Sequence, residues 1–133
     1  MVKCLVVDDD ELGRELIAEY LQGIADCSMA ENGLQAVEMF RAAFEGGDPY
    51  HLIILDIVMP EMDGYSAAKE IRTIERDWGV SITDGVSIIM LSALSTPHDV
   101  IEAYLSARSA AHLVKPIKPG KLLATLEKLG IGV

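Results

Sequence analysis

The chain has 133 residues, half of them hydrophobic, and a formal charge of −10 from 21 acidic and 11 basic residues. That length and apolar content suit one compact domain with a real core, which argues against disorder. The acidity argues against nonspecific DNA or RNA binding, which needs a basic footprint, and no apolar run reaches membrane-spanning length.

Short apolar runs alternate with longer amphipathic stretches. Residues 3–7 read as a first strand, cut off at once by Asp8-Asp9-Asp10-Glu11, so the apolar start is too short for a signal peptide. Residues 11–23 read as a helix with Leu12, Leu16 and Tyr20 at i, i+4, i+8 on one face. Residues 27–30 make a weak second strand. The turn Glu31-Asn32-Gly33 leads into a helix whose face is Ala36, Val37, Phe40 and Phe44, stopped by Gly46-Gly47. Residues 52–55, Leu-Ile-Ile-Leu, are the clearest strand, again ending in an acid, Asp56.

Pro60 and Gly64 mark a loop. A helix over 65–77 follows, with Ala68, Ile71 and Ile74 inward. Residues 78–86 form the longest unassigned loop, at the end of the sheet opposite the acids; its single tryptophan, Trp78, is an apolar anchor for folding back on the body. Residues 87–91 are a fourth strand. Thr96-Pro97-His98-Asp99 opens a helix, with a hydroxyl cap, proline in the first turn and an acid three residues after the cap; Val100, Ile101, Tyr104 and Leu105 form its face. Residues 112–114 are a short fifth strand, and Pro119 opens a last helix carrying Leu122, Leu123, Leu126 and Leu129. Cys4 and Cys27 fall in predicted strands as reduced thiols, and no Cys/His spacing resembles a zinc site.

Five repeats of strand then helix imply an α/β fold, a parallel sheet covered on both faces. Ligands of such sheets bind beyond the carboxyl ends of the strands, at the switch point in strand order. The first strand ends in Asp8-Asp9, the third in Asp56, the fourth in Ser92, and Lys115 follows the fifth. In a flavodoxin-like, doubly wound five-stranded sheet of order 2-1-3-4-5, strands one and three are neighbours, so Asp8, Asp9 and Asp56 meet in one cleft.

Three carboxylates at close quarters persist together when a cation neutralises them or when one stays protonated. Oxygen-only ligands with room for water suit Mg²⁺, which favours a few carboxylates plus phosphate oxygens. Lys115 offers a compact positive charge and Ser92 a hydroxyl donor. Phosphoryl transfer needs positioning and charge neutralisation above all, and a carboxylate can be its nucleophile. Each piece has a blander explanation. Asp8 to Glu11 can favour a helix N-terminus through the dipole, residues 59–64 can be an ordinary turn, Ser92 can be a loop hydroxyl, and Lys115-Pro116 can be a plain strand end. Their joint placement at strand ends is much harder to dismiss.

The stretches Val6-Val7-Asp8-Asp9-Asp10, Leu55-Asp56-Ile57-Val58-Met59-Pro60-Glu61-Met62-Asp63-Gly64, Leu91-Ser92-Ala93 and Val114-Lys115-Pro116 resemble the receiver domains of bacterial two-component response regulators, in order and spacing, over essentially the whole chain. The resemblance implies Asp56 as phosphoacceptor, Asp9 as a direct Mg²⁺ ligand with Asp8 assisting through water, and the Val58 backbone carbonyl completing the protein ligands. It implies that Ser92 hydrogen-bonds a phosphoryl oxygen, that Lys115 pairs with it, and that the Lys115–Pro116 bond is cis, an isomer open chiefly to X–Pro bonds. The implied donor is a phosphohistidine on a sensor histidine kinase or histidine phosphotransfer domain. Phosphorylation would shift the packing of a face made by the fourth helix, fifth strand and last helix. The family's usual aromatic switch position falls here on His112, a departure: histidine is smaller, polar and titratable near neutrality. Val58 and Leu94 occupy the two positions that influence water attack; neither can orient a water, which implies a long-lived aspartyl-phosphate.

The last predicted helix ends near Val133, so we expect a single receiver over 1–133 with no output domain, a cytoplasmic phosphoacceptor rather than an enzyme, with output through an unidentified downstream protein and not through nucleic acid or membrane. A non-phosphorylated adaptor of the same fold, a small flavin-binding protein and an aspartate-nucleophile hydrolase are the competing readings. Degenerate receivers usually lack an acid, the hydroxyl or the lysine. A flavin protein needs a phosphate-cradling loop where Asp8-Asp9-Asp10 stands. Such a hydrolase usually places its nucleophile on the first strand and needs more chain.

Overall fold

The computed structural model describes residues 1–59, 61–93, 101 and 108–132. Five strands, β1 (Val2–Val7), β2 (Ala25–Ala30), β3 (Leu52–Asp56), β4 (Ser87–Ser92) and β5 (Ala111–Val114), form one parallel sheet in the order β2-β1-β3-β4-β5. Three helices, α1 (Glu11–Tyr20), α2 (Gly33–Glu45) and α3 (Gly64–Asp77), and a C-terminal helix (Pro119–Lys128) cover its faces. This is the expected flavodoxin-like α/β architecture. No helix among the described residues is long and apolar enough to cross a membrane.

The central strands carry near-continuous apolar sequence because both their faces are covered. Leu5, Val7, Ile53, Leu55, Ile88 and Met90 point to one side and pack beneath α2 and α3 with Phe40 and Ile71. Cys4, Val6, Ile54, Ile89 and Leu91 alternate to the other side, where Ile17, Leu21, Leu122 and Leu126 cover them. Local chemistry agrees with the elements. Asn32 caps α2 by accepting from Gln35 N–H at 2.8 Å, and Asp63 caps α3 by accepting from Ser66 N–H at 2.8 Å.

One predicted helix face is wrong. On α1 the residues turned inward are Arg14, Ile17 and Leu21, whereas Leu12 and Leu16 stay exposed at 63% and 43%. Leucines at i and i+4 and the set 14, 17, 21 are equally good helical stripes, offset by about one residue, or roughly 100°; packing against β1 and the C-terminal helix selects the second. The helix also ends at Tyr20, before the left-handed turn at Gly23. On the C-terminal helix Leu122 and Leu126 are buried, Leu129 is partly so, and Leu123 faces outward.

The loop after α3 contains a short 3-10 turn (Ile82–Asp84). Trp78 does fold back, edge-on to Phe44 with ring centroids 5.5 Å apart, although it remains largely exposed. Buried Glu75 secures the return into β4: it accepts from Val86 N–H at 2.6 Å and pairs with Arg72 at 2.8 Å. The helix predicted from Thr96 lies outside the described residues except for Ile101, which is helical and exposed, not inward. Pro60 and Leu94 also lie outside them.

Candidate functional site: an acidic cleft with one lysine

The register puts the site together. Val7 of β1 pairs with Leu55 of β3, so the next residues, Asp8 and Asp56, end adjacent parallel strands side by side. Oxygens of Asp8, Asp9 and Asp56 lie within 4.8 Å of one another. Asp8 and Asp56 are buried, at 1% and 5% exposure, while Asp9 is exposed. Two buried carboxylates this close repel one another, and Lys115 answers the repulsion: its Nζ donates to Asp8 Oδ2 at 2.9 Å and to Asp56 Oδ2 at 2.8 Å.

The surrounding backbone fixes these groups. Asp8 Oδ1 accepts from Asp10 N–H at 3.0 Å, and the Asp8 carbonyl accepts from the buried Arg14 guanidinium at 2.6 Å. Asp56 Oδ1 accepts from Val58 N–H at 3.2 Å. Ile57 N–H donates to Leu91 O at 2.9 Å, and Gly64 N–H to Ile57 O at 2.8 Å, so the loop after Asp56 is held from two sides. Lys115 is tied to β4 by its own N–H, 2.8 Å from Ser92 O, and the Lys115–Pro116 bond is cis, as the resemblance implied. Ser92 is buried at the end of β4, and its Oγ lies 3.2 Å from His112 Nε2 on β5. Val58 exposes its side chain to solvent beside this cluster. The structure therefore brings together Asp8, Asp9, Asp56, Ser92 and Lys115, with Val58 and His112 on the flanks. A cleft of about 410 Å³ opens alongside, between α1 and the segment after β5.

Electrostatics follow the geometry. Burial pushes the Asp56 carboxyl above the ordinary range, against the lowering effect of Lys115 and with a further upward push from Asp8. Burial disfavours the Lys115 ammonium, but its bonds to Asp56 and Asp8 outweigh that and raise it. Three carboxylates thus face a single ammonium. The donors are all hard oxygens, with an exposed side at Asp9 where a cation can keep water; this set fits Mg²⁺ and offers no nitrogen or sulfur ligand.

Two residues that shape the site escaped sequence reasoning. Gly64 read as loop punctuation and as the end of a stretch that carries the resemblance, with no reason for a glycine there, yet a Cβ would collide with the Asp56 carbonyl oxygen and sit 2.8 Å from Ile57 Cα. A glycine directly after a helix-capping aspartate, eight residues past the strand-end acid, is the signal that was there to find. Arg14 was assigned no place by the sequence; its position in the stripe with Ile17 and Leu21 was the clue.

Comparison with known proteins gives a consistent pattern. Residues 4–127 match the response regulator receiver domain family. The chain is 34% identical over 128 residues to chemotaxis protein CheY of Bacillus subtilis, covering 95% of each. Among solved structures it resembles Vibrio cholerae CheY4 (28% identity, TM-score 0.76, 96% of this chain and 98% of that one). It also resembles the receiver domain of Saccharomyces cerevisiae Ssk1, solved with the histidine phosphotransfer protein Ypd1 (27% identity, TM-score 0.80, 95% and 87%).

Proposed function

Because this chain belongs to the response regulator receiver domain family, we propose that it accepts a phosphoryl group on Asp56 from a phosphohistidine, in a Mg²⁺-dependent transfer, and signals through protein contacts. The observation that carries this reading is the part-buried Asp8–Lys115–Asp56 bridge at the strand ends with Asp9 beside it. An Asp56 carboxylate oxygen attacks phosphorus, the P–O bond forms, the P–N bond breaks, and the donor imidazole leaves. Loose phosphoryl transfer asks the protein mainly for position and countercharge. Val58 N–H and the loop bonds hold Asp56 in place. Lys115 releases a carboxylate and pairs with the arriving phosphoryl oxygens, and Ser92 donates its hydroxyl to one of them.

Asp8, Asp9, Asp56 and the Val58 backbone carbonyl would hold Mg²⁺, which supplies countercharge to the phosphoryl oxygens. The donor class is a sensor histidine kinase or a histidine phosphotransfer domain; the Ssk1 receiver, solved with Ypd1, is a relative with such a partner. We assign residues 1–133 to one cytoplasmic receiver unit whose output face comprises the fourth predicted helix, β5 and the C-terminal helix, with His112 at the switch position. It is a signalling phosphoacceptor that assists its own phosphorylation and slow dephosphorylation.

Intact-mass analysis after incubation with acetyl phosphate and Mg²⁺ tests this. One added phosphoryl group, lost with EDTA and in Asp56→Asn, is the expected result. No added mass, even with a sensor kinase supplied as donor, replaces this reading with that of a non-phosphorylated adaptor.

A further inference from the structure

The receiver reading gives Ser92 one task, donating a hydrogen bond to a phosphoryl oxygen. A serine hydroxyl has a single proton and can accept two bonds, while phosphoryl oxygens only accept. Whatever else contacts Oγ therefore decides whether that proton is available.

One such contact is His112. In the β4–β5 register Ser92 pairs with Val114 and Met90 with His112. His112 therefore stands diagonally from Ser92 on the same face of the sheet, since side chains two apart share a face. The imidazole is long enough to span the diagonal, and its Nε2 reaches 3.2 Å from Ser92 Oγ. The backbone leaves Ser92 little freedom to adjust, because its carbonyl is committed to Lys115 N–H at 2.8 Å. A neutral imidazole nitrogen either donates or accepts, according to tautomer. An accepting Nε2 would take the serine's only proton and compete with the phosphoryl group. A donating Nε2–H occupies a lone pair of Oγ and leaves the proton for the phosphoryl oxygen.

We propose that His112 is a positioning residue for Ser92: in the phosphorylated protein its Nε2–H donates to Oγ and aims the serine's proton at the phosphoryl oxygen. This rests on the receiver reading of Asp56. It makes the departure at position 112 part of the site's chemistry, because a phenylalanine ring there could offer Oγ no such donor.

The test uses beryllofluoride with Mg²⁺ as the phosphoryl mimic. In ¹⁵N-histidine-labelled wild-type protein, the His112 Nε2 resonance is expected at the protonated-nitrogen position once the mimic is bound. A proton-free Nε2 in the loaded protein overturns the proposal without any mutation. In parallel, His112→Phe should weaken mimic binding about threefold to tenfold, the worth of one hydrogen bond, and His112→Gln, which keeps an N–H, should recover to within about twofold of wild type. His112→Phe should cost nothing further in a Ser92→Ala background. Additive losses, or no recovery in His112→Gln, refute the positioning role while leaving Asp56 as acceptor. A folded wild-type protein that binds no mimic refutes the receiver reading itself, and this inference with it.

Discussion

Lys115→Met isolates the charge problem at the centre of the site. The substitution keeps an unbranched chain of similar length and removes the ammonium that bridges Asp8 and Asp56 at 2.9 and 2.8 Å. Two buried carboxylates are then left facing each other. Removing one partner of a fully buried pair costs about 3–5 kcal/mol. Here the Lys115 side chain is 30% exposed, so solvent screens part of the interaction; the expected loss is about 1–3 kcal/mol. For a chain of this length that lowers Tm by roughly 3–10 °C. The assay is thermal and urea unfolding in EDTA, repeated with Mg²⁺ and at lower pH. Mg²⁺ should recover much of the loss, because a cation bound only by the folded state stabilises it.

Acid should also help, and the sign follows from Asp56. Its folded carboxyl is raised above the ordinary 3.8, mainly through burial, and losing Lys115 removes that residue's hydrogen bond and charge, the two larger lowering influences, leaving the Val58 N–H bond. Between 3.8 and the raised folded value the native state binds more protons than the unfolded state, so stability rises as pH falls through that window. The window is wider in the variant, so its deficit shrinks on acidification. In the wild type, the raised Lys115 contributes stability below its ordinary 10.5 that is lost as pH climbs through the folded value. A variant as stable as wild type in EDTA, or a deficit that neither Mg²⁺ nor acid reduces, would refute the reasoning.

Three further outcomes are expected. Gly64→Ala drives a Cβ into the Asp56 carbonyl and Ile57 Cα, both backbone; urea unfolding should show a loss of about 1–3 kcal/mol, with slower phosphorylation from acetyl phosphate, and unchanged stability would show that the loop yields freely. Cys27 is half-buried, and a hydrogen bond from Cys4 draws its thiol down, whereas that same bond and burial push Cys4 well up. Iodoacetamide should therefore label one thiol in the native protein, mapped to Cys27, and two in denaturant; equal native labelling would contradict the assignment. The exposed Val58 side chain cannot orient a water; Val58→Asn should shorten the aspartyl-phosphate half-life roughly fivefold, the effect of about 1 kcal/mol on a barrier, while an unchanged half-life in a mass-based time course would remove Val58 from any role in lifetime.

The sheet and the site were legible in the sequence for one reason: in a parallel α/β fold the functional groups follow the apolar strand runs directly. Leu52 to Leu55 declares a buried strand, and Asp56 is simply the next residue. The same holds for Val7 before Asp8 and Leu91 before Ser92. What stayed illegible depends on packing between elements. Leu12 and Leu16 make as good a stripe as Arg14, Ile17 and Leu21, and only the neighbours of α1 choose between them. The contacts that make Gly64 necessary come from Asp56 and Ile57, across a turn whose closure no local pattern announces. The Ser92–His112 contact needs the β4–β5 register, which links residues twenty apart.

The register also explains why a lysine closes this site. Asp8 and Asp56 end neighbouring strands, so the sheet itself holds two like charges about 4.8 Å apart at the backbone. The compensating charge comes from beyond β5, two strands away from β3 with β4 between them, a span of roughly 10 Å at that spacing. Only a long side chain bridges such a gap, and its head must serve two acceptors in different directions. A rotatable ammonium with three donors does this; a planar guanidinium fork is built for one carboxylate face. Ser92 lies on the intervening β4, and its carbonyl anchors the lysine's own backbone. The residue that neutralises the acids and the residue that would sense the phosphoryl group are therefore joined by one hydrogen bond. Under the proposed function, an anion arriving at Asp56 would draw on both, coupling β4 and β5.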